Sequence, residues 1–502
     1  MTDRHLNFIG GQWVPAADGR TFESRNPAHP DEVIGVFQRS GTADVDRAMA
    51  AALAARRGWA ATPAPERGLI LGRVAELLEQ RREDIARMIT REMGKVCAES
   101  AGFDTQAAIN TARVMMGEGR RLLGQTVPSE LRDKFAMVVR EPLGVVGAIT
   151  PCNLPVLLPA WKLFPALWCG NTVVFKPAED TPMVGTLLVQ LLADAGVPPG
   201  VVNMLTGYGH EIGDRFVTDP ALDMISFTGS ETVGRRIAGL AGAELKKVSL
   251  ELGSKNAVVV MDDAEFDLAL EGCLWSAFGT SGQRCTAGSR IVVHEAIHDR
   301  FVEALTERAR AIRIGDGLEP GVQMGPLVNQ KQLDRVQGYI DIGQGEGARL
   351  LTGGGSLQGA MGGGFFHDAT VFADVTSDMR IAQEEIFGPV VSVMKATSFD
   401  HAIDLANSTR YGLSFGIYSA DVNRVFAAMS RLESGVINVN APTMGVEIGV
   451  PFGGVKNSGN GLCESGTVSV DEFTELKSIM VDCSGLHRRT GVNEAATEGK
   501  GG

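Results

Sequence analysis

The sequence predicts an α/β protein with two doubly wound domains and a small additional unit of strands. Three observations carry this. From Gly144 onwards, short β-branched runs alternate with helical segments, the pattern of a parallel sheet covered by helices on both faces. After Met261 a second alternation of the same kind begins. Two strand-like runs, Lys134 to Arg140 and Glu475 to Val481, belong to neither and read as a third unit, pairing with each other or with a second subunit. A chain of 502 residues has room for three domains at roughly 150 residues each.

Before the first alternation, Val45 to Arg57 and Gly68 to Gly94 carry apolar residues at three- and four-residue spacing, the helical period. Thr42-Ala43-Asp44 suits the start of the first helix. GVVGAIT (144–150) and NTVVFK (171–176) read as strands, and Thr181 to Ala195 as a helix closed by the turn VPPG. VVNML (201–205) and MISFT (224–228) are strands, Thr232 to Ala241 is a helix, and KVSLEL (247–252) and NAVVVM (256–261) are strands. In the second alternation, Asp267 to Phe278 is helical, IVVH (291–294) a strand and Ala296 to Ile312 a helix. VVSVMKA (390–396), Ala402 to Asn407, FGIYS (415–419), Asn423 to Leu432 and GVINVN (435–440) continue it. The end from His487 is polar and Gly-rich, with the composition of a disordered tail.

Composition narrows the function. A net charge of −13 gives no general attraction for nucleic acid or an anionic membrane. The opening MTDRHLNFIGGQW lacks the basic and apolar segments of a secretory signal. The most apolar stretch, Pro155 to Phe175, is interrupted by Lys162, Asn171 and three prolines, so no membrane span is expected. Seven cysteines, none in a C-x-x-C pair, fit a reducing cytoplasm better than a disulfide framework.

Four places carry possible chemistry. SGQRCTAGSR (281–290) sets Cys285 in a Gly-, Ser- and Thr-rich loop, with Arg284 beside it to favour the thiolate. Glu251 ends a strand in SLELGSKN, where parallel sheets bind ligands. FTGSETVGRRI (227–237) is strand, Gly-Ser turn and helix, and the backbone N–H groups at that helix start suit a phosphate. GYGHEIG (207–213) reads as an ordinary turn. His294-Glu295-Ala296-Ile297-His298 matches the zinc-protease pattern H-E-x-x-H. His294 closes a strand, however, so the two histidines are not expected to share a helical face, and no metal site is expected.

With these residues in hand, the chain resembles the aldehyde dehydrogenase superfamily from about residue 7 to residue 482. The motifs, in family order, are TPCNLP (150–155), GNTVVFKPAED (170–180), FTGSETVGR (227–235), LELGSK (250–255), GQRC (282–285), EEIFGP (384–389) and PFGGVKNSG (451–459). The resemblance implies NAD-dependent oxidation of an aldehyde to a carboxylic acid. Cys285 is then the nucleophile, Asn153 with the Cys285 N–H the oxyanion donors, and Glu251 the base that activates water for thioester hydrolysis. It implies cofactor contacts from Thr150, Pro151, Lys176, Glu179, Gly229, Ser230, Leu252, Gly253, Glu385 and Phe387. Glu179 near the ribose 2′ position favours NAD over NADP. A substrate tunnel would be lined by Leu154, Leu158, Trp161, Arg284, Thr286 and Phe452, largely apolar, suiting an aliphatic or aromatic aldehyde.

By the same resemblance, 1–124 and 143–253 form the NAD-binding domain and 254–454 the catalytic domain. Residues 125–142 and 455–486 form an oligomerisation segment giving a homodimer or homotetramer, and 487–502 the tail. A CoA-acylating semialdehyde dehydrogenase is the alternative; that branch lacks the general-base glutamate, which is present here. Two departures stand out. The residue before Asn153 is usually aromatic and here is Cys152, leaving room beside the oxyanion hole and a second thiol. The usual ELGGK is here ELGSK, and Ser254 would strain the turn if that position needs a positive φ.

Overall fold

Five of the β-branched runs line up as parallel strands of one sheet. In the computed structural model, which describes residues 3–359, 361–445 and 447–485, Val145–Ile149 lies between Met224–Thr228 and Thr172–Lys176. Lys247–Glu251 and Val202–Met204 extend the parallel order, and the hairpin Asn7–Ile9 and Gln12–Val14 adds two antiparallel strands at the far edge. The central strands are buried along nearly their whole length, as both covered faces require. The polar end from His487, read as a disordered tail, lies outside the described residues.

The second sheet also has seven strands. Thr370–Ala373, Val390–Ala396, Arg290–His294, Ala257–Val260, Ser414–Tyr418 and Val436–Val439 run parallel, and Arg349–Thr352 pairs antiparallel at one edge. The two isolated runs pair with each other. Lys134–Pro142 and Thr474–Asp482 form one antiparallel ladder, from Thr474 opposite Pro142 to Asp482 opposite Lys134, and Gln125–Val127 adds a third strand. The intervening stretch 455–464 lies elsewhere: Gly459 bridges to Glu251, and the Leu252 N–H donates to the Ser458 carbonyl at 2.8 Å.

The helical run from Gly68 to Gly94 is two helices, Ala64–Gln80 and Arg82–Met93, separated at Arg81, where φ is −110° and ψ 14°. Buried Glu92 accepts the N–H groups of Met183 and Val184, both at 2.9 Å, and so caps the helix Pro182–Asp194, whose own N-cap residue Thr181 makes no such bond. The apolar stretch after Pro155 is a helix, Leu157–Cys169, with every residue buried. Its apolar surface runs all round because it is enclosed on every side. No helix among the described residues is long and apolar enough to cross a membrane.

Candidate active site

Four neighbouring parallel strands end at Ile149, Lys176, Thr228 and Glu251. Beyond those ends lies a cleft of about 630 Å³ lined by Thr150, Pro151, Lys176, Glu179, Gly229 and Ser230 among others, where such sheets hold ligands. It continues into a smaller cavity of about 180 Å³ that shares Pro151, Gly229 and Ser230 and reaches Asn153, Leu252, Gly253, Cys285, Glu385 and Phe387. Residues placed together by the resemblance therefore share one continuous surface. Gln332 and Arg335, which the sequence reading did not pick out, also line the smaller cavity.

The loop carrying Cys285 is held in an unusual shape. Thr280, Ser281 and Gly282 have φ of 53°, 55° and 67°, a left-handed run that costs about 1–3 kcal/mol at each non-glycine residue unless the surroundings enforce it. Gly282 is required, since a Cβ there would lie 2.1 Å from the Gly388 carbonyl oxygen. Glu99 enforces the rest. Its carboxylate accepts the Thr280 hydroxyl at 2.6 Å and the Arg284 guanidinium at 3.3 Å, and Arg284 Nε donates to Thr280 Oγ1 at 2.7 Å.

Arg284 favours the thiolate, the direction expected of it, but it is outweighed. Its guanidinium is buried, tied to Glu99, and lies over the rings of Phe103 and Trp275. Burial, then the carboxylates of Glu251 and Glu385, push the Cys285 thiol up to about 12, and Arg284 opposes them only weakly. Phe103, which packs against the apolar cluster around Cys285, carries the Arg284 guanidinium on its ring. A cavity of about 530 Å³ is lined by Glu99, Phe103, Trp275 and Gly279 among others.

Glu251 is fully buried, and of the charged groups around Cys285 it acts most strongly on the thiol. Burial raises its carboxyl well above the usual range, and Glu464 adds to that, while Lys162 opposes. Among the described residues neither of its oxygens has a full hydrogen bond. Lys162, Glu464, Ser226 and Glu472 form a buried chain behind it. Lys162 pairs with Glu464 and donates to Ser226 Oγ at 3.0 Å, and the Ser226 hydroxyl donates to Glu472 at 3.1 Å. Burial and Glu464 hold the Glu472 carboxyl at about 8. The sequence reading missed this chain. Its one signal was Lys162, a lone charge inside a wholly apolar run, which must find a buried partner.

Replacing Glu464 by Gln removes a negative charge near Glu251 and leaves Lys162 positive. Losing that charge lowers the Glu251 carboxyl, so the acid limb of the steady-state rate is expected to move to lower pH. Breaking the buried pair is also expected to cost about 3–5 kcal/mol of stability. A pH–rate profile and a thermal melt of the variant check both; an unmoved acid limb would show that Glu464 does not act on the base.

Asn153 is buried, and its Oδ1 has no partner among the described residues. Its backbone carbonyl accepts Lys95 Nζ at 2.9 Å; Lys95 pairs with Asp104 at 2.6 Å, and Asp104 accepts the Leu157 N–H at 2.8 Å. This buried pair fixes the oxyanion residue to the start of the helix Leu157–Cys169. Leu154, Leu158, Trp161 and Phe452 form one apolar cluster with Leu157 and Leu413, against which Cys285 packs, and the rings of Trp161 and Phe452 lie 5.1 Å apart. Thr286 is buried beside Cys285.

On the cofactor side, Ser230 caps the helix Glu231–Ala243 and accepts the Val233 N–H. Lys176 and Glu179 pair at 3.2 Å; burial raises the Glu179 carboxyl, but the Lys176 ammonium and local hydrogen bonds outweigh it and hold it below the usual value. Gly253 leaves room for the Glu385 carboxylate, which a Cβ there, 2.3 Å from one of its oxygens, would displace. Phe387 has a φ of 60°, rare for a bulky side chain and held by the surrounding fold. The helix start, the paired Lys176 and Glu179 and the glycine cradle beside Glu385 fit a dinucleotide.

Both sequence departures resolve differently from expectation. Ser254 is absent from the residues of positive φ, so the turn is not strained. Cys152 lines the larger cleft and packs against apolar residues of the first sheet and its helices, instead of the apolar cluster at Cys285, and burial pushes its thiol far up. His294 caps the helix Glu295–Arg310 through the Ala296 N–H, and His298 pairs with Asp299, so the two do not stand on one helical face.

A cysteine held in a strained loop beside a buried carboxylate, at the end of a dinucleotide-sized cleft in a doubly wound sheet, defines a class of covalent-catalytic α/β proteins. The model of the aldehyde dehydrogenase family matches residues 13–479, and the chain belongs to that family. It is 41% identical over 478 residues to an α-ketoglutaric semialdehyde dehydrogenase of Bacillus subtilis, covering 95% of this chain and 98% of the relative. It is 42% identical to aldehyde dehydrogenase 1A1 of Mus musculus, covering 95% of each chain. Among solved structures, betaine aldehyde dehydrogenase of Staphylococcus aureus in complex with NAD+ superposes with a TM-score of 0.94 at 33% identity, covering 96% of this chain and 95% of the other.

Proposed function

We propose that the protein oxidises an aldehyde to the carboxylic acid with NAD, through a thioester on Cys285 that water hydrolyses. The observation that carries this is one continuous space, in which Cys285 and Asn153 line a cavity opening into the dinucleotide cleft with Glu251 as the dominant charge on the thiol. Cys285 attacks the aldehyde carbon as the thiolate, its proton having passed to solvent, so Glu251 stays ionised for the hydrolytic step. Asn153 Nδ2 and the Cys285 N–H stabilise the oxyanion, each by about 3 kcal/mol. The dinucleotide, held by Lys176, Glu179, Ser230 and Glu385, supplies the hydride acceptor. Glu251 then takes a proton from water as it attacks the thioester, and Cys285 leaves.

The apolar cluster favours an aliphatic or aromatic aldehyde, because Arg284, the adjacent cation, is already paired with Glu99. A second reading, a carboxylated semialdehyde, is favoured by the name of the Bacillus subtilis relative. NADH formation on a panel of aliphatic, aromatic and carboxylated aldehydes, with and without CoA, separates these. Turnover on apolar aldehydes without CoA is expected. Turnover only with CoA would replace hydrolysis by acylation, and a marked preference for semialdehydes would select the second substrate class.

Glu179 supports NAD over NADP by charge. Glu179→Ser is expected to improve NADP use by roughly tenfold, since removing one nearby negative charge is worth about 1–2 kcal/mol against a 2′-phosphate. Unchanged kcat/KM for NADP would place the 2′ position elsewhere. The division into a cofactor-binding domain (1–124 and 143–253) and a catalytic domain (254–454) agrees with the two sheets. The three-stranded sheet leaves Phe135, Leu476 and Met480 exposed, which supports its use between subunits of a homodimer or homotetramer. The unpaired cysteines suit the cytoplasm.

A further inference from the structure

We infer that Ser254, the residue that departs from the usual ELGGK pattern, is a positioning residue linking the cofactor carboxylate to the nucleophile loop. Ser254 is buried, and its two polar groups reach in different directions. Its backbone N–H donates to Glu385 Oε1 at 3.0 Å, in the cavity that also holds Cys285. Its hydroxyl donates to Asn256 Oδ1 at 2.6 Å. Asn256 is likewise buried, and its Nδ2 donates to the carbonyl of Cys285 at 2.7 Å and of Ala287 at 2.9 Å. Asn256 Oδ1 also accepts the Ser414 N–H at 2.9 Å. The chain Glu385, Ser254, Asn256, Cys285 is thus an unbroken line of hydrogen bonds. The Asn256 amide makes all four of its hydrogen bonds only when the serine hydroxyl is present; a glycine at 254 leaves one acceptor lone pair empty in a buried site. A shift of Glu385 on cofactor binding is passed to the carbonyl of the nucleophile itself.

The inference rests on the proposed use of NAD at Glu385, and its test separates the two. Alkylation of Cys285 by iodoacetamide is followed by mass spectrometry of the Cys285 peptide, without and with saturating NAD, in the wild type, Ser254→Ala and Ser254→Gly. NAD affinity is read independently by fluorescence titration. In the wild type, NAD is expected to change the Cys285 alkylation rate by at least about fivefold, the worth of one ordinary hydrogen bond. In both variants that change is expected to shrink towards one, with NAD affinity within about threefold of wild type, a margin of under 1 kcal/mol. A purely structural role would slow or speed alkylation equally with and without NAD and leave the ratio intact, which would overturn the inference. So would a wild-type ratio of one with NAD bound. Absence of NAD binding by the wild type would instead overturn the proposed function.

Discussion

Replacing Cys285 by Ala is expected to abolish NADH formation, with a fall of about 10⁴-fold or more, because no other group can form the covalent intermediate. The variant should still bind NAD, since the cleft contacts at Lys176, Glu179 and Ser230 lie away from the thiol. It should also fold, because the loop is held by Glu99, Thr280 and Asn256 and not by the sulfur. Steady-state turnover and a cofactor titration on the same preparation check this. Activity within tenfold of wild type would remove Cys285 from the mechanism. The thiol rests well above neutral, so wild-type acylation should also quicken as pH rises, in step with removal of its proton.

Glu251→Gln has the second largest expected effect, and of a different kind. Acylation and hydride transfer leave the glutamine little to disturb, whereas hydrolysis loses its base. A burst of NADH of about one equivalent per active site, followed by a steady state slower by about 10²–10³-fold, is expected. Pre-steady-state absorbance measures both. A steady state equal to wild type would assign the base to another group. In the wild type, the raised Glu251 carboxyl places the acid limb of the steady-state rate above the usual carboxylate range: activity is lost as pH falls through that raised value and the base becomes protonated.

Much of the fold was legible. The alternating runs from Gly144 to Val439 became strands and helices within a few residues of their sequence limits, because β-branched runs and helical spacing are local signals. At the strand ends, Lys176, Glu179, Gly229 and Ser230 line one cleft, and Asn153, Cys285, Glu385 and Phe387 line the smaller cavity beside it; Glu251 lines neither. What the sequence hid was long-range and charged. Lys162 meets Glu464 across 302 positions, and Lys95 meets the Asn153 carbonyl across 58; neither contact leaves a periodic trace. Arg284 misled in size, not in direction: it favours the thiolate, but burial and the carboxylates of Glu251 and Glu385 outweigh it, and Glu99, far upstream, pairs with its charge. Ser254 misled in the opposite sense. The local rule warned of a strained turn, but the backbone there is ordinary, and the added hydroxyl finds a partner in Asn256.

The central claim is that chemistry passes through an acyl group on Cys285. Intact-protein mass spectrometry of Glu251→Gln, quenched during the burst with a turned-over aldehyde and NAD, tests it most directly. The account requires an added mass equal to the acyl group, mapped by peptide digestion to Cys285 and absent from Cys285→Ala. NADH formation without any adduct on Cys285 would contradict it.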